Sequence, residues 1–193
     1  LLLENERIWI GYRNTILYTF FGTLVNLIVQ IPAAYALSRR TLPGRSVIMT
    51  LITITMYFSG GMIPSYLLVA SLGLIGSPLS LIIPTAFSAY NIIVARSFFE
   101  GSIPESLFDA ARIDGCSYLR FFIKVVLPLS GALLAIISLF CIQGHWNVYL
   151  TATMYLYDPE YYTLQQVIRA ITAQLDTSLM DMSSSEEMIR IMM

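Results

Sequence analysis

Apolar and polar positions in this chain alternate on the scale of whole segments, not single residues. From Asn14 to Ser38 there are 25 residues without a charge, and a helix of that length extends roughly 37 Å, enough to cross a bilayer with some tilt. The run closes at Ser38-Arg39-Arg40, followed by the turn-forming Thr-Leu-Pro-Gly-Arg45. Between Arg45 and Arg96 lie 50 residues without an ionisable acid or base, too many for one crossing and about right for two. Breakers divide them: Ser59-Gly60-Gly61 and Pro64 interrupt the first half, and Gly73, Gly76 and Pro78 mark the turn. After Lys124 the chain is apolar again to about Trp146, with only His145 able to charge before Asp158. The pattern predicts four helical spans, near 14–38, 46–70, 78–96 and 125–147. Non-helical backbone at Gly60-Gly61 is tolerable only if packed on protein or lining a wet cavity, which makes it a candidate pathway element. Close helix packing is the commoner reason for such glycines.

Beyond the fourth span, residues 148–193 read as extracytoplasmic. In YDPEYYTLQQVIRAITAQL the apolar Leu164, Val167, Ile168 and Ile171 recur at the spacing of one helix face, predicting an interfacial or extramembrane helix. The final SSSEEMIRIMM stops without a closing element. Leu1 is not an initiator Met and no cleavable signal precedes the first span, so the chain reads as a fragment.

Composition strengthens the membrane reading. Hydrophobic residues make up 56% of the 193 and charged residues 12%, about half the charged share of a soluble domain. Mean hydropathy is +0.71. The net charge of −1 comes with no basic run that would track a phosphate backbone, which argues against a nucleic-acid partner. Cys116 and Cys141 fall in a loop and a span, so they form no disulfide framework.

Seven of the eleven Lys and Arg lie in the connections 39–45 and 96–124, and the turn between them at 71–78 has none. By the excess of positive charge on cytoplasmic loops, those two connections face the cytosol. Both ends then lie outside, with Trp146, Tyr149, Tyr155, Tyr157, Tyr161 and Tyr162 at or beyond the outer interface.

The second cytosolic connection, within 97–124, has a start, a body and a stop. Ser102 precedes Glu105 by three residues as in a capping box, and Pro104 sits where a missing N–H costs nothing. Gly115 is placed to end the helix in the left-handed region. The predicted helix is 103–114, about 18 Å long. Leu107, Ala110, Ala111 and Asp114 share one face. Two alanines there make a shallow surface that another protein can approach closely, with Asp109 and Asp114 available to a basic side chain. A solvated amphipathic helix packed on its own membrane domain would show the same composition.

The stretch DAARIDGCSYLRFFIKVVLPL resembles the EAA loop of the membrane subunits of binding-protein-dependent ABC importers: an acid, two Ala, a Gly four residues on, and Leu-Pro twelve residues later. The segments PAAYALSRRTLPGR, IPESLFDAARIDG and HWNVYL resemble the carbohydrate branch of that family, nearest to the second permease of oligosaccharide and aldouronate-type systems. The resemblance implies an all-α membrane protein with the helical bundle of a type I ABC importer transmembrane domain, four spans being present of six. It places the family's acid on Asp109, where Glu is commoner, its alanines on Ala110 and Ala111, its glycine on Gly115 and its Leu-Pro on Leu127 and Pro128. It implies a non-catalytic permease in the bacterial cytoplasmic membrane without cofactor. The implied partners are a cytosolic ABC ATPase dimer docking on Leu107, Asp109, Ala110, Ala111, Asp114 and Gly115, a second permease in a heterodimer, and an extracytoplasmic solute-binding protein.

Other chemistries are less well supported. There is no GxxxxGK[ST] phosphate loop, so ATP hydrolysis falls to a partner chain. Cys141 and His145 have the i, i+4 spacing of metal ligands but lack a third. No GxSxG-like elbow supports an intramembrane hydrolase. An ion-coupled secondary transporter usually buries an acid or base within its spans, and these span interiors lack one. Asn26, Gln30, Tyr35 and Asn91 are the polar residues expected to face the bundle interior, either lining a sugar path or bonding helix to helix.

Overall fold

The computed structural model describes residues 6–174 and residue 177, so the SSSEEMIRIMM end lies outside the described residues. The long uncharged run forms one helix, α1, Glu6–Ser38, about 50 Å long and extended at its N-terminal end beyond the predicted start. Its buried face is a column of small and polar residues that includes Gly11, Thr15, Gly22, Asn26, Gln30 and Ala34. Small side chains let neighbouring backbones come close, which is how helices associate without a hydrophobic drive between them.

The predicted spans after α1 are broken where the sequence holds glycine or proline. Segment 46–70 is two helices, α2 (Arg45–Tyr57) and α3 (Met62–Ser71), bent by 117° at the Ser59–Gly61 turn. Segment 78–96 begins as the short α4 (Leu79–Ile82), opens at residues 83–88, and resumes as α5 (Ala89–Ser102). Pro84 sits in that opening and cannot donate the next helical hydrogen bond. Segment 125–147 is likewise composite: α7 (Tyr118–Leu129) meets α8 (Gly131–Trp146) at 81°. The turn Phe122–Val126 is a π-helix just ahead of Pro128, a common accommodation of a ladder that has lost a donor.

Among the described residues, α1 is the one helix long and apolar enough to cross a membrane alone, and counting each bent pair as one span gives up to three. Among the described residues the four expected spans thus take the form of one long helix and several jointed ones. Helix α6 (Glu105–Ile113) lies between α5 and α7, and α9 (Leu150–Tyr155) and α10 (164–174) follow α8.

Helix α1 packs along both α5 and α8. Two apolar cores flank it. The larger gathers Ile31, Ala34, Tyr35, Ile92, Phe99 and Phe121 near the end carrying Arg39, and the smaller gathers Tyr18, Val69, Leu81, Tyr155 and Leu156 towards the other end. Asn26 and Gln30 sit on α1 between the two.

Candidate functional site

The loop helix starts later than its sequence suggests. Ser102 is the last residue of α5 and so has no free conformation with which to cap α6. Ile103 and Pro104 form the extended joint, and Pro104 takes the cap position with no side-chain cap bond. The residue before a proline is pushed out of the helical region, which makes Ile103 the breaking point. The other end follows the prediction. Gly115 has φ +73°; its N–H donates to Arg112 O at 3.0 Å and that of Cys116 to Ala111 O at 2.9 Å. These are the two bonds of a Schellman stop.

One residue of α6 is buried, Phe108. Ala111, one turn on, is half-buried and packs against the larger core. The predicted four-residue face is thereby divided: Leu107, Ala110 and Asp114 are exposed with Asp109, while Ala111 turns inward. Ile113, which pattern reading passed over, is 88% exposed and stands with the outward group. Leu127 is half-buried and Pro128 exposed, at the 81° joint.

Phe108 reaches a cluster that joins α6 to α1 and α7. Its ring lies 4.6 Å from that of Tyr118 and 5.2 Å, edge-on, from that of Phe121. The Arg39 guanidinium sits over three rings, at 4.7 Å from Tyr35, 5.3 Å from Phe108 and 5.7 Å from Phe121. Its Nη2 donates to the Tyr35 hydroxyl at 2.6 Å. Tyr35, expected in the bundle interior, is buried and is part of this aromatic cage. Nearby, Arg96 donates to Leu37 O at 3.2 Å and to Glu100, which also pairs with Arg45, tying α1, α2 and α5 together.

The remaining interior polar residues form a seam. Asn91 Nδ2 donates to Gln30 Oε1 at 3.0 Å and approaches Cys141 Sγ at 3.7 Å. Gln30 Nε2 donates to Ala86 O at 2.9 Å. The surroundings of Asn26 assign its amide with the oxygen accepting from His145 Nε2 at 3.3 Å, and the nitrogen donating to Gly22 O at 3.1 Å and Thr85 O at 3.2 Å. Asn26 and Gln30, one turn apart, therefore take carbonyls freed by the break at 83–88, the condition under which open backbone is tolerated at membrane depth. Cys141 and His145 have different partners, Asn91 and Asn26.

At the opposite end of α1, Asn14 Nδ2 donates to Glu160 O at 2.7 Å and Tyr162 O at 3.1 Å. Thr15 Oγ1 accepts from Leu164 N at 2.9 Å, and Tyr18 donates to Tyr161 O. Gln166 Oε1 accepts from Thr163 N at 2.9 Å. Thr163 Oγ1 donates to the same oxygen at 3.2 Å, so Thr163-Leu-Gln-Gln166 makes the Gln half of a capping box. Leu164 and Val167 of the predicted apolar face are buried, whereas Ile168 is exposed.

This architecture, jointed helices around one long helix with a short exposed helix carried on a loop, is the helical transmembrane domain of a type I ABC importer. The chain belongs to the family of binding-protein-dependent transport system inner membrane components, whose sequence pattern matches residues 8–183. It is similar to the polygalacturonan/rhamnogalacturonan transport system permease protein YtcP of Bacillus subtilis, with 46% identity over 88% of this chain and 59% of YtcP. Protein LplC of the same organism is 40% identical over 84% of this chain and 55% of its own length. The crystal structure of a bacterial ABC transporter involved in the import of the acidic polysaccharide alginate contains a chain 40% identical to this one. That chain superposes with a TM-score of 0.85 over 87% of this chain and 60% of its own length. The chain thus spans less than two thirds of these relatives.

Proposed function

We propose that this chain is the permease subunit of an ATP-driven importer that moves an oligosaccharide, of a class containing uronic acids, inward across the cytoplasmic membrane. The carbohydrate class rests on the relatives: YtcP is named for polygalacturonan and rhamnogalacturonan, and the solved transporter for the acidic polysaccharide alginate. The observation that carries the coupling role is α6 itself. It is closed by a rigid stop at Gly115, held by a single buried ring, and directs Leu107, Ala110, Ile113 and Asp114 outward. A cytosolic ATPase would seat that face in a groove, with Asp109 or Asp114 meeting a basic side chain. Closure of two such subunits around ATP would rotate the jointed helices between inward-facing and outward-facing states.

The remaining partners follow from this reading: a second permease completing a heterodimer, and a solute-binding protein meeting the outer segment around 149–176. Within this subunit Asn26, Gln30 and Asn91 serve to seal the broken helix, and sugar contacts fall to surfaces beside that seam.

The test is reconstitution of the full transporter in proteoliposomes with the ATPase inside. ATP-dependent uptake of labelled oligogalacturonate, competed by other uronate oligomers better than by neutral ones, is the expected result. Asp109→Lys should reduce uptake at least tenfold while insertion into the membrane is unchanged. Undiminished uptake by that variant would remove the docking role, and uptake driven by an ion gradient without ATP would remove the importer reading.

A further inference from the structure

We infer that Arg39 is the positioning residue that fixes the loop helix α6 to the end of α1, so that displacement of α6 moves α1 as a lever. The inference rests on the importer reading above and concerns a step within it. Helix α6 offers one buried side chain, Phe108, and no side-chain cap at its start, so its hold on the bundle passes through that ring and the half-buried Ala111. Phe108 faces Arg39, Phe121 and Tyr118. Phe121 and Tyr118 belong to α7, directly downstream of α6, and Arg39 alone of the three stands at the end of α1. Its Nε is buried without a hydrogen-bond partner among the described residues. The guanidinium is held by the aromatic faces and by the Tyr35 hydroxyl. A guanidinium over a ring is attractive over a range of tilts, since the quadrupole interaction is broad compared with a buried hydrogen bond. Such a joint can transmit a push while the crossing angle changes.

The far end of α1 supplies the reason a lever here would matter. Asn14, Thr15 and Tyr18 grip residues 160–164 by four hydrogen bonds. A shift entering at Arg39 therefore reaches the segment on the other side of the bundle through one continuous helix of 33 residues.

The test uses the assembled transporter, with companion permease, ATPase and binding protein, in proteoliposomes. The readout is sugar transported per ATP hydrolysed, measured only on assembled complex so that losses in folding do not enter. Arg39→Met keeps the stem and removes the charge and its donors. It should lower transport per ATP about tenfold while ATPase co-purification and hydrolysis stay within twofold of wild type. Arg39→Lys, which keeps a cation without the planar face, should recover part of the loss. Phe108→Leu should lower the ratio similarly, and the double variant with Arg39→Met should be no worse than either single one. Should Arg39→Met fail to assemble, Tyr35→Phe carries the test: it deletes the hydroxyl's bond to the guanidinium, keeps the ring, and should lower the ratio about threefold. An unchanged ratio in assembled Arg39→Met, or in Tyr35→Phe, overturns the lever. Absence of ATP-dependent uptake by the wild-type transporter would instead overturn the importer reading, so the two failures are distinguishable.

Discussion

Gly22 faces the imidazole of His145 so closely that a single methyl group there would disturb the pairing of α1 with α8. A Cβ at Gly22 would lie 2.5 Å from both Cε1 and Nε2 of His145 and 2.8 Å from Nδ1. Ordinary contact needs close to an ångström more, so in Gly22→Ala either the ring swings away or the helices part. Overpacking of this kind costs about 1–3 kcal/mol. A displaced ring also breaks the hydrogen bond to Asn26, and leaving a buried polar group unpaired adds about 1–3 kcal/mol. The total for Gly22→Ala is about 2–6 kcal/mol. Unfolding of the purified subunit in mixed micelles by increasing denaturing detergent measures it. His145→Ala removes the obstacle, so Gly22→Ala added to that variant should cost less than about 0.5 kcal/mol, within the error of independent sites. An equal cost in both backgrounds would show that the ring is not what demands glycine at this position.

Gly115 has φ +73° with open space where a Cβ would go. Gly115→Ala should therefore cost about 1 kcal/mol from backbone strain alone, and Gly115→Asn should cost less; transport per ATP in the reconstituted system should fall in the same order. Asn14→Ala leaves the carbonyls of Glu160 and Tyr162 without their shared donor. Amide hydrogen exchange at residues 160–167 should then accelerate at least tenfold while exchange in α5 and α8 is unaltered, and uniform acceleration would refute the local clamp.

What could be read from the sequence follows from how far each signal reaches. The helical class and the break at Gly60-Gly61 are legible because glycine acts locally, whereas the spans expected at 78–96 and 125–147 carry no foreseen break although Pro84 and Pro128 lie in or beside the joints there. The size of the bends is not legible, since 117° and 81° are set by what the neighbouring helices pack against. The stop of α6 at Gly115 was legible for the same local reason, whereas its start was missed because α5 overran Ser102. Asn26, Gln30 and Asn91, expected in the bundle interior, are buried. Their partners could not be foreseen: Ala86 O is 56 residues from Gln30. Tyr35 went to the aromatic cage because Arg39, one turn further on, offered it a charged donor. Small and charged residues do not point to Phe108, which is the one large buried side chain of α6.

The distribution of polar contacts along α1 also bears on how such a subunit keeps its shape while it moves. Lipid chains are as apolar as leucine, so the exposed Ile16, Leu17, Phe20, Leu24 and Ile28 exert little preference for one neighbour over another. Directional contacts must specify the pairing instead. Those along α1 include three levels: Asn14, Thr15 and Tyr18 hold the 160–164 segment, Asn26 and Gln30 hold the opened backbone at 85–86 and the α5 and α8 side chains, and Arg39, just past its end, holds the α6 cage. Between the first two levels the buried residues of α1 are small, Thr19, Gly22 and Thr23, which permits sliding and tilting of one helix on another. A helix anchored in this way can rock about its middle level while its two ends remain attached to whatever they grip, and Asn26 and Gln30, bonded to the opened backbone as well as to Asn91 and His145, are placed at that fulcrum.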